Sequence, residues 1–264
     1  MLHARTVITN PHFVIRAVDC TDDHTRWSPA EAPPGPQIVL VRRGHFRLDS
    51  RGRRFTADPT TGYLHRPAEE LRFSHPAGGD TCTSITFIDH ALTEGIASAP
   101  SPSIRVDPHL ELAHRILLRT TADPDFATTE AVIHLLTLAL RDQPATTPAP
   151  GRADLAAQAR EAILANTPAS ATLVTLARHL NTSPAHLSRT FHHHIGLPIS
   201  RYRTRVRISQ ALTRLDQGES HLATLAADLG FSDQSHLTRV LHRELGHPPA
   251  RIRALLSETP PTGN

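Results

Sequence analysis

Two stretches decide the fold: "SPAHLSRTFHHHIGLPISRYR" (183–203) and "DQSHLTRVLHRELGHPPARIR" (233–253). They match at a constant offset of fifty residues, pairing His186 with His236, Leu187 with Leu237, Arg189 with Arg239, Phe191 with Leu241 and Gly196 with Gly246. Upstream, "TLVTLARHL" (172–180) matches "HLATLAADL" (221–229) at an offset of forty-nine, so the second turn is one residue longer. An internal repeat of this kind means that one supersecondary unit is used twice. Each unit predicts a helix, a short turn, a second helix and a Gly-x-Pro stop. Ser183 and Asp233 can cap the second helices, and Pro184 suits a first helical position.

Apolar spacing then orients the helices. Leu173, Leu176 and Ala177 would face Leu187 and Phe191 across the first turn, and Leu222, Leu225 and Ala226 would face Leu237 and Leu241 across the second. Two helices crossed by a tight turn make a helix-turn-helix. Between the units, "PISRYRTRVRISQALTRL" (198–215) reads as one long helix that buries Ile199, Tyr202, Val206 and Leu212 and exposes Arg201, Arg203, Arg205 and Arg207.

Charge supports a polyanion partner. The chain has no lysine, so all 28 of its Lys and Arg positions are arginine. Residues 1–142 carry 15 Arg against 17 acids, whereas residues 153–258 carry 12 Arg against 8 acids. No acid lies between Glu161 and Asp216, a gap that holds seven Arg and five His. Ordinary solvated surfaces mix signs, so a carboxylate-free run points to a face that approaches phosphate. The three adjacent histidines His192–His194 do not make a metal site. With His186 they contain no i, i+4 pair, and no Cys or carboxylate stands beside them. They suit a helix C-terminus, where imidazolium complements the dipole, or approach to a phosphate.

The first half has a different period. "QIVLVRRGHFRLDSRGRRFTADP" (37–59) alternates and turns at "DSRG", as a hairpin does. "TTGYLHRPAEELRFSHPAGGDTCTSITFI" (60–88) continues as short strands, which predicts a small β sandwich or barrel. From "DPHLELAHRILLRT" (107–120) the pattern is helical, with Asp107 as N-cap. In "ATTEAVIHLLTLALRD" (127–142), Val132, Leu135, Leu136 and Ala139 share one side of a helix. "QPATTPAPG" (143–151) reads as a linker, and "SETPPTGN" (257–264) as a disordered tail. Two distant cysteines, Cys20 and Cys82, predict no disulfide framework. With no signal-peptide core and no membrane-length apolar run, a cytoplasmic, nucleoid-associated location is expected.

Residues 176–212 and 222–253 closely resemble the AraC/XylS-type DNA-binding domain. The carrying motifs are S-x-x-x-L-x-R-x-F, G-x-P and "GF-x-x-x-S-x-L-x-R". Leu237, Leu241 and Ile252 replace the usual aromatics, yet remain apolar. The resemblance implies that both second helices enter successive major grooves. It nominates Ala185, His186, Ser188, Arg189 and His192 in the first, and Gln234, Ser235, His236, Thr238 and Arg239 in the second. Arg203 and Arg207 on the connecting helix are expected to clamp the backbone.

More weakly, residues 43–78 resemble the cupin-like sensor domains attached to such modules. That implies an α+β chain with four parts: a sensing and dimerising cupin-like β-barrel or sandwich (1–142), a linker (143–152), an all-α double helix-turn-helix (153–258) and a tail (259–264). Trp27, Tyr63, His65, Arg72 and His75 are candidates to line an effector pocket. The stripe Val132, Leu135, Leu136, Ala139 is the candidate dimer contact, with a helix merely covering the β unit as its alternative. No His-x-His ligand set accompanies His45 and Arg47, and the reactive zinc-cysteine cluster of repair methyltransferases is missing. Neither an enzyme nor a cofactor or metal is therefore expected. The expected partners are operator DNA, a small effector, a second copy of the chain and RNA polymerase. The alternative is an effector-independent regulator whose first domain only dimerises.

Overall fold

The computed structural model describes residues 2–76, 78–119, 125–141 and 153–257. The expected linker 143–152 and tail 259–264 lie outside them. Nine strands form the first half: β1 (Leu2–Thr9), β2 (Phe13–Cys20), β3 (Gln37–Arg43), β4 (Phe46–Ser50), β5 (Arg53–Ala57), β6 (Thr61–His65), β7 (Leu71–Ser74), β8 (Asp80–Phe87) and β9 (Ser103–Arg105). A six-stranded antiparallel sheet runs β1-β2-β8-β3-β6-β9, and a three-stranded one runs β5-β4-β7.

The expected hairpin forms at β4–β5, where Ser50 pairs with Arg53 and both loop residues, Arg51 and Gly52, have positive φ. Such two-residue loops match the right-handed twist of the flanking strands. Asp49 Oδ1 accepts from the Gly52 amide at 2.8 Å and holds the turn.

Strand alternation separates two cores. On β3, Ile38 and Leu40 point to one face while Val39 and Val41 point to the other, and all four are buried. Val39, Val41, Tyr63 and Cys82 of the large sheet meet Phe46, Leu48, Ala57 and Leu71 of the small one. The two sheets therefore form a sandwich. The other face of the large sheet is covered by α1 (His90–Ala97), α2 (Pro108–Leu117) and α3 (Ala127–Arg141). Asp107 caps α2 as expected, accepting from the Leu110 amide at 2.8 Å.

The second half is helical: α4 (Ala153–Leu164), a 3-10 turn (Pro168–Ala171), α5 (Leu173–His179), α6 (Pro184–Ile195), α7 (Ile199–Asp216), α8 (Leu222–Asp228), α9 (Gln234–Leu245) and α10 (Pro249–Ser257). The chain is thus α+β, as its pattern predicts. Each helix-turn-helix has its own core. Leu176, Ala177, Leu187 and Phe191 pack with Tyr202 and Val206 in one. Leu225, Ala226, Leu237 and Leu241 pack with Ile208 and Leu212 in the other. The two ends of α7 therefore belong to different cores, which makes it the strut between units.

Candidate nucleic-acid interface

Local chemistry builds the two exposed helices in the same way. Ser183 Oγ accepts from the His186 amide at 3.2 Å, and Asp233 Oδ1 from the His236 amide at 2.7 Å. Such caps satisfy backbone donors that a helix start leaves unpaired. Gly196 and Gly246 close the helices in the left-handed region at the same φ of 74°, a conformation open to residues without a Cβ.

Burial repeats with the sequence. Ala185, Arg189 and His192 are exposed in α6, and so are the equivalent Ser235, Arg239 and His242 in α9. His186, Ser188, His236 and Thr238 are half-buried, and Gln234 is exposed. All ten nominated side chains thus lie outside the cores. Among the described residues, Arg189 and Arg239 make no hydrogen bond or ion pair, so their donor forks face outward. His236 is held more firmly than His186. Its Nδ1 lies 3.1 Å from Ser232 Oγ, and its ring meets Phe231 edge-on at 5.4 Å.

The connecting helix differs from expectation. Arg201 is exposed, but Arg203, Arg205 and Arg207 are half-buried rather than free. Arg207 lies over the Phe231 ring at 5.6 Å and beside Gly230, in the turn of the second unit. Burial lowers the pKa of all three guanidinium groups. Amphipathic spacing alone could not reveal this, because the surfaces beside Arg207 and Arg205 come from elsewhere in the chain, Phe231 and Gly230 for the first and the Asp107 region for the second.

None of the described clefts is lined by all five candidate effector residues. Tyr63 is buried between the sheets against Phe46 and Phe73. His75 also touches Phe46, but its Nδ1 bonds Asp80 Oδ2 at 2.9 Å. Both ring nitrogens of His65 lie 2.9 Å from carbonyl oxygens, those of Gly35 and Glu69. Trp27 stacks under Arg54, and Arg72 sits in a small cleft with Asp49 and Glu70. Phe46, Leu48, Tyr63 and Leu71 pack in one apolar cluster between the sheets.

The dimer stripe is also used within the chain. Val132, Leu135 and Ala139 are buried against the large sheet, and Leu136 packs beside them. The face of α3 turned to solvent carries Ile133 instead, 45% exposed.

What the sequence reading missed is how the halves join. Asp58, fully buried at the β5–β6 turn, accepts from Thr60 N and Oγ1, from Arg160 Nε of α4 at 2.6 Å and from Tyr202 Oη of α7 at 2.6 Å. Burial alone would raise its pKa, but the Arg160 guanidinium and these bonds hold it below the usual carboxylate range. A second joint is buried Arg115 of α2, whose Nη2 donates to Glu111, the Arg42 carbonyl and Thr213 of α7. Leu112 of α2 enters the core of the second helix-turn-helix. Beside these joints a cleft of about 620 Å³ lies between the halves, with Arg42, Arg43 and His45 on one side and Gln210, Arg214 and Asp228 on the other.

Paired capped helices on a common strut define the class: a double helix-turn-helix module. Residues 176–254 match the family model described as a helix-turn-helix domain. The arabinose operon regulatory protein of Salmonella typhimurium is 33% identical over 82 residues, 31% of this chain and 29% of that protein. The chain thus matches less than a third of that relative's length. An AraC-like transcription regulator of Streptomyces lividans is 27% identical over 85% of this chain and 66% of its own length. The fatty-acid-bound crystal structure of ToxT from Vibrio cholerae overlaps 94% of this chain and 97% of its own, at 11% identity and a TM-score of 0.38. At that score nothing about ligands follows. No described helix is long and apolar enough to cross a membrane.

Proposed function

We propose that the chain is a sequence-specific transcription regulator, in which residues 1–142 control DNA binding by residues 153–258. The observation that carries this reading is the repeat of exposure along α6 and α9, which aims two equivalent sets of donors outward from a shared strut. Arg189 and Arg239 read guanine, Gln234 reads adenine, and Ser188, Thr238, His186 and His236 reach bases or phosphates. Ala185 offers at most a methyl contact with thymine. The work is binding rather than catalysis, with operator DNA and RNA polymerase as partners.

Control by a small molecule fits the junction better than the interior of the sandwich. A ligand in the cleft between Arg42 and Arg214 would touch both halves at once, and so could bind one arrangement of them better than another. The alternative, a regulator without an effector, is favoured by the apolar packing of Phe46, Leu48, Tyr63 and Leu71 between the sheets. A homodimer built on α3 would use its outward face, where Ile133 is exposed. The test is selection of DNA fragments by the purified chain, with and without candidate metabolites. Enrichment of one motif supports the reading; equal recovery of all sequences overturns it.

A further inference from the structure

At one end of the sandwich, residues from both sheets meet around His75. Cys20 ends β2 and pairs in register with Asp80, which starts β8, so both side chains lie on one face. His75 reaches that face from just beyond the end of β7. Cys20 Sγ lies 3.9 Å from His75 Nε2, and His75 Nδ1 lies 2.9 Å from Asp80 Oδ2. Asp22 Oδ2 is 3.6 Å from Cys20 Sγ. Cys82 Sγ donates to Asp80 Oδ1 at 3.1 Å. Cys20, His75 and Asp80 are all buried, and one potential ligand atom from each lies within 4.8 Å of the others.

We propose that this cluster is a binding site for a thiophilic divalent cation, of which zinc is the reference. The Cys20 thiolate and His75 Nε2 are the primary ligands, and the Asp22 carboxylate, 3.6 Å from Cys20 Sγ, would turn in as the third on binding. The ligand chemistry is specific. Asp80 keeps the proton on Nδ1, so the lone pair of Nε2 faces the Cys20 sulfur. A carboxylate behind a metal-binding histidine fixes the ring and raises its basicity. The spacing also fits. With Zn–S about 2.3 Å and Zn–N about 2.0 Å, tetrahedral geometry separates sulfur and nitrogen by about 3.5 Å. The observed separation therefore needs only a small contraction. Cys82 acts one step further out, by orienting Asp80. Binding releases the Cys20 thiol proton to solvent, so uptake strengthens as pH rises. A fourth position is left for water or an added ligand.

Position gives the site a route to the rest of the molecule. The segment leading from His75 to Asp80 includes Gly78 and Gly79, which line the cleft against the helical half. An effector role for the cation would rest on the regulator reading above, but the site itself does not.

Cobalt(II) titration of the reduced, chelator-treated full chain tests the proposal. Exposed histidines can bind cobalt, so the signal to read is the near-ultraviolet sulfur-to-cobalt charge-transfer band, which needs a thiolate. The band should saturate at one equivalent and disappear when zinc is added. Cys20→Ser should abolish it, Cys82→Ser should retain it, and Asp80→Asn should weaken cobalt affinity roughly 10- to 100-fold while leaving the band. X-ray absorption of zinc-loaded wild type needs no variant, and should find one sulfur among nitrogen and oxygen ligands. Absence of the band in wild type, its survival in Cys20→Ser, or two sulfurs on zinc would each overturn the proposal.

Discussion

Arg189 and Arg239 are outward-facing cations among half-buried neighbours, and their consequence is specificity rather than stability. Arg189→Ala should cost about 1–3 kcal/mol on the selected site and leave binding to scrambled duplex nearly unchanged. Equal losses on both duplexes over a salt series would make it a phosphate contact instead. His114 is the opposite case. It is fully buried on α2, and burial, with Arg115 and Arg42 nearby, holds its pKa well below that of a free histidine. Burial lowers His45 as well. The unfolded chain therefore takes up protons near pH 6.5 that the folded chain refuses. Stability is present in full above that pH and falls as pH drops below it. Denaturant unfolding between pH 7.5 and 5 should show this decline, and His114→Leu should flatten it. An unchanged slope in the variant would place the titration elsewhere.

At the scale of elements, caps and seating decide which helices are available to a partner. Ser183→Ala and Asp233→Ala should each cost about 1 kcal/mol, read as a lower denaturation midpoint with the same transition slope. If neither variant shifts the midpoint, the caps contribute nothing. Helix α3 separates two outcomes. Leu135 is wholly buried on the sheet, so Leu135→Ala should cost about 2–5 kcal/mol through the cavity it leaves. Ile133→Asp changes only the outward face, and should leave stability intact while converting a dimer to monomers in light scattering. A dimeric, unaltered Ile133→Asp would rule out that face as the contact.

The behaviour of the whole molecule depends on its joints. Asp58 holds β5–β6 against α4 and α7 at once, and removing it would leave Arg160 charged and buried. Asp58→Ala should cost about 3–5 kcal/mol, whereas replacing Asp58 and Arg160 together by Leu and Met should recover much of that loss. The carboxyl is depressed in the folded state, so its contribution is complete above the ordinary Asp pKa and fades as pH falls through the folded value. A loss on Asp58→Ala that the double variant does not reduce would show that packing, not the ion pair, makes this joint. With both units rigid on α7, the full chain should protect two major grooves on one face of DNA, about 34 Å apart. Protection of one groove alone would mean that only one unit docks.

The helical half was legible because its determinants are local. The fifty-residue repeat, the Ser183 and Asp233 caps, the Gly196 and Gly246 stops and the apolar spacing all act within a few residues, and a resemblance could be carried on them. The β4–β5 hairpin was legible for the same reason. Burial between distant segments was not. Whether Val132 and Leu135 face a sheet or a second chain depends on surfaces contributed by β3 and β8. Arg207 looked free until the second unit's Phe231 came to lie under it. Asp58 lies 102 residues from Arg160 and 144 from Tyr202 and shares no pattern with them, so their meeting is a product of packing. Cys20, His75 and Asp80 converge for a further reason, since strand register and the closure of one sheet over another set which side chains share an end. By itself, the sequence determined the two helix-turn-helix units and their charge. Only the tertiary structure decided which side chains they leave exposed and how the β half holds them, because desolvation and ion pairing depend on what is near in space, not in sequence.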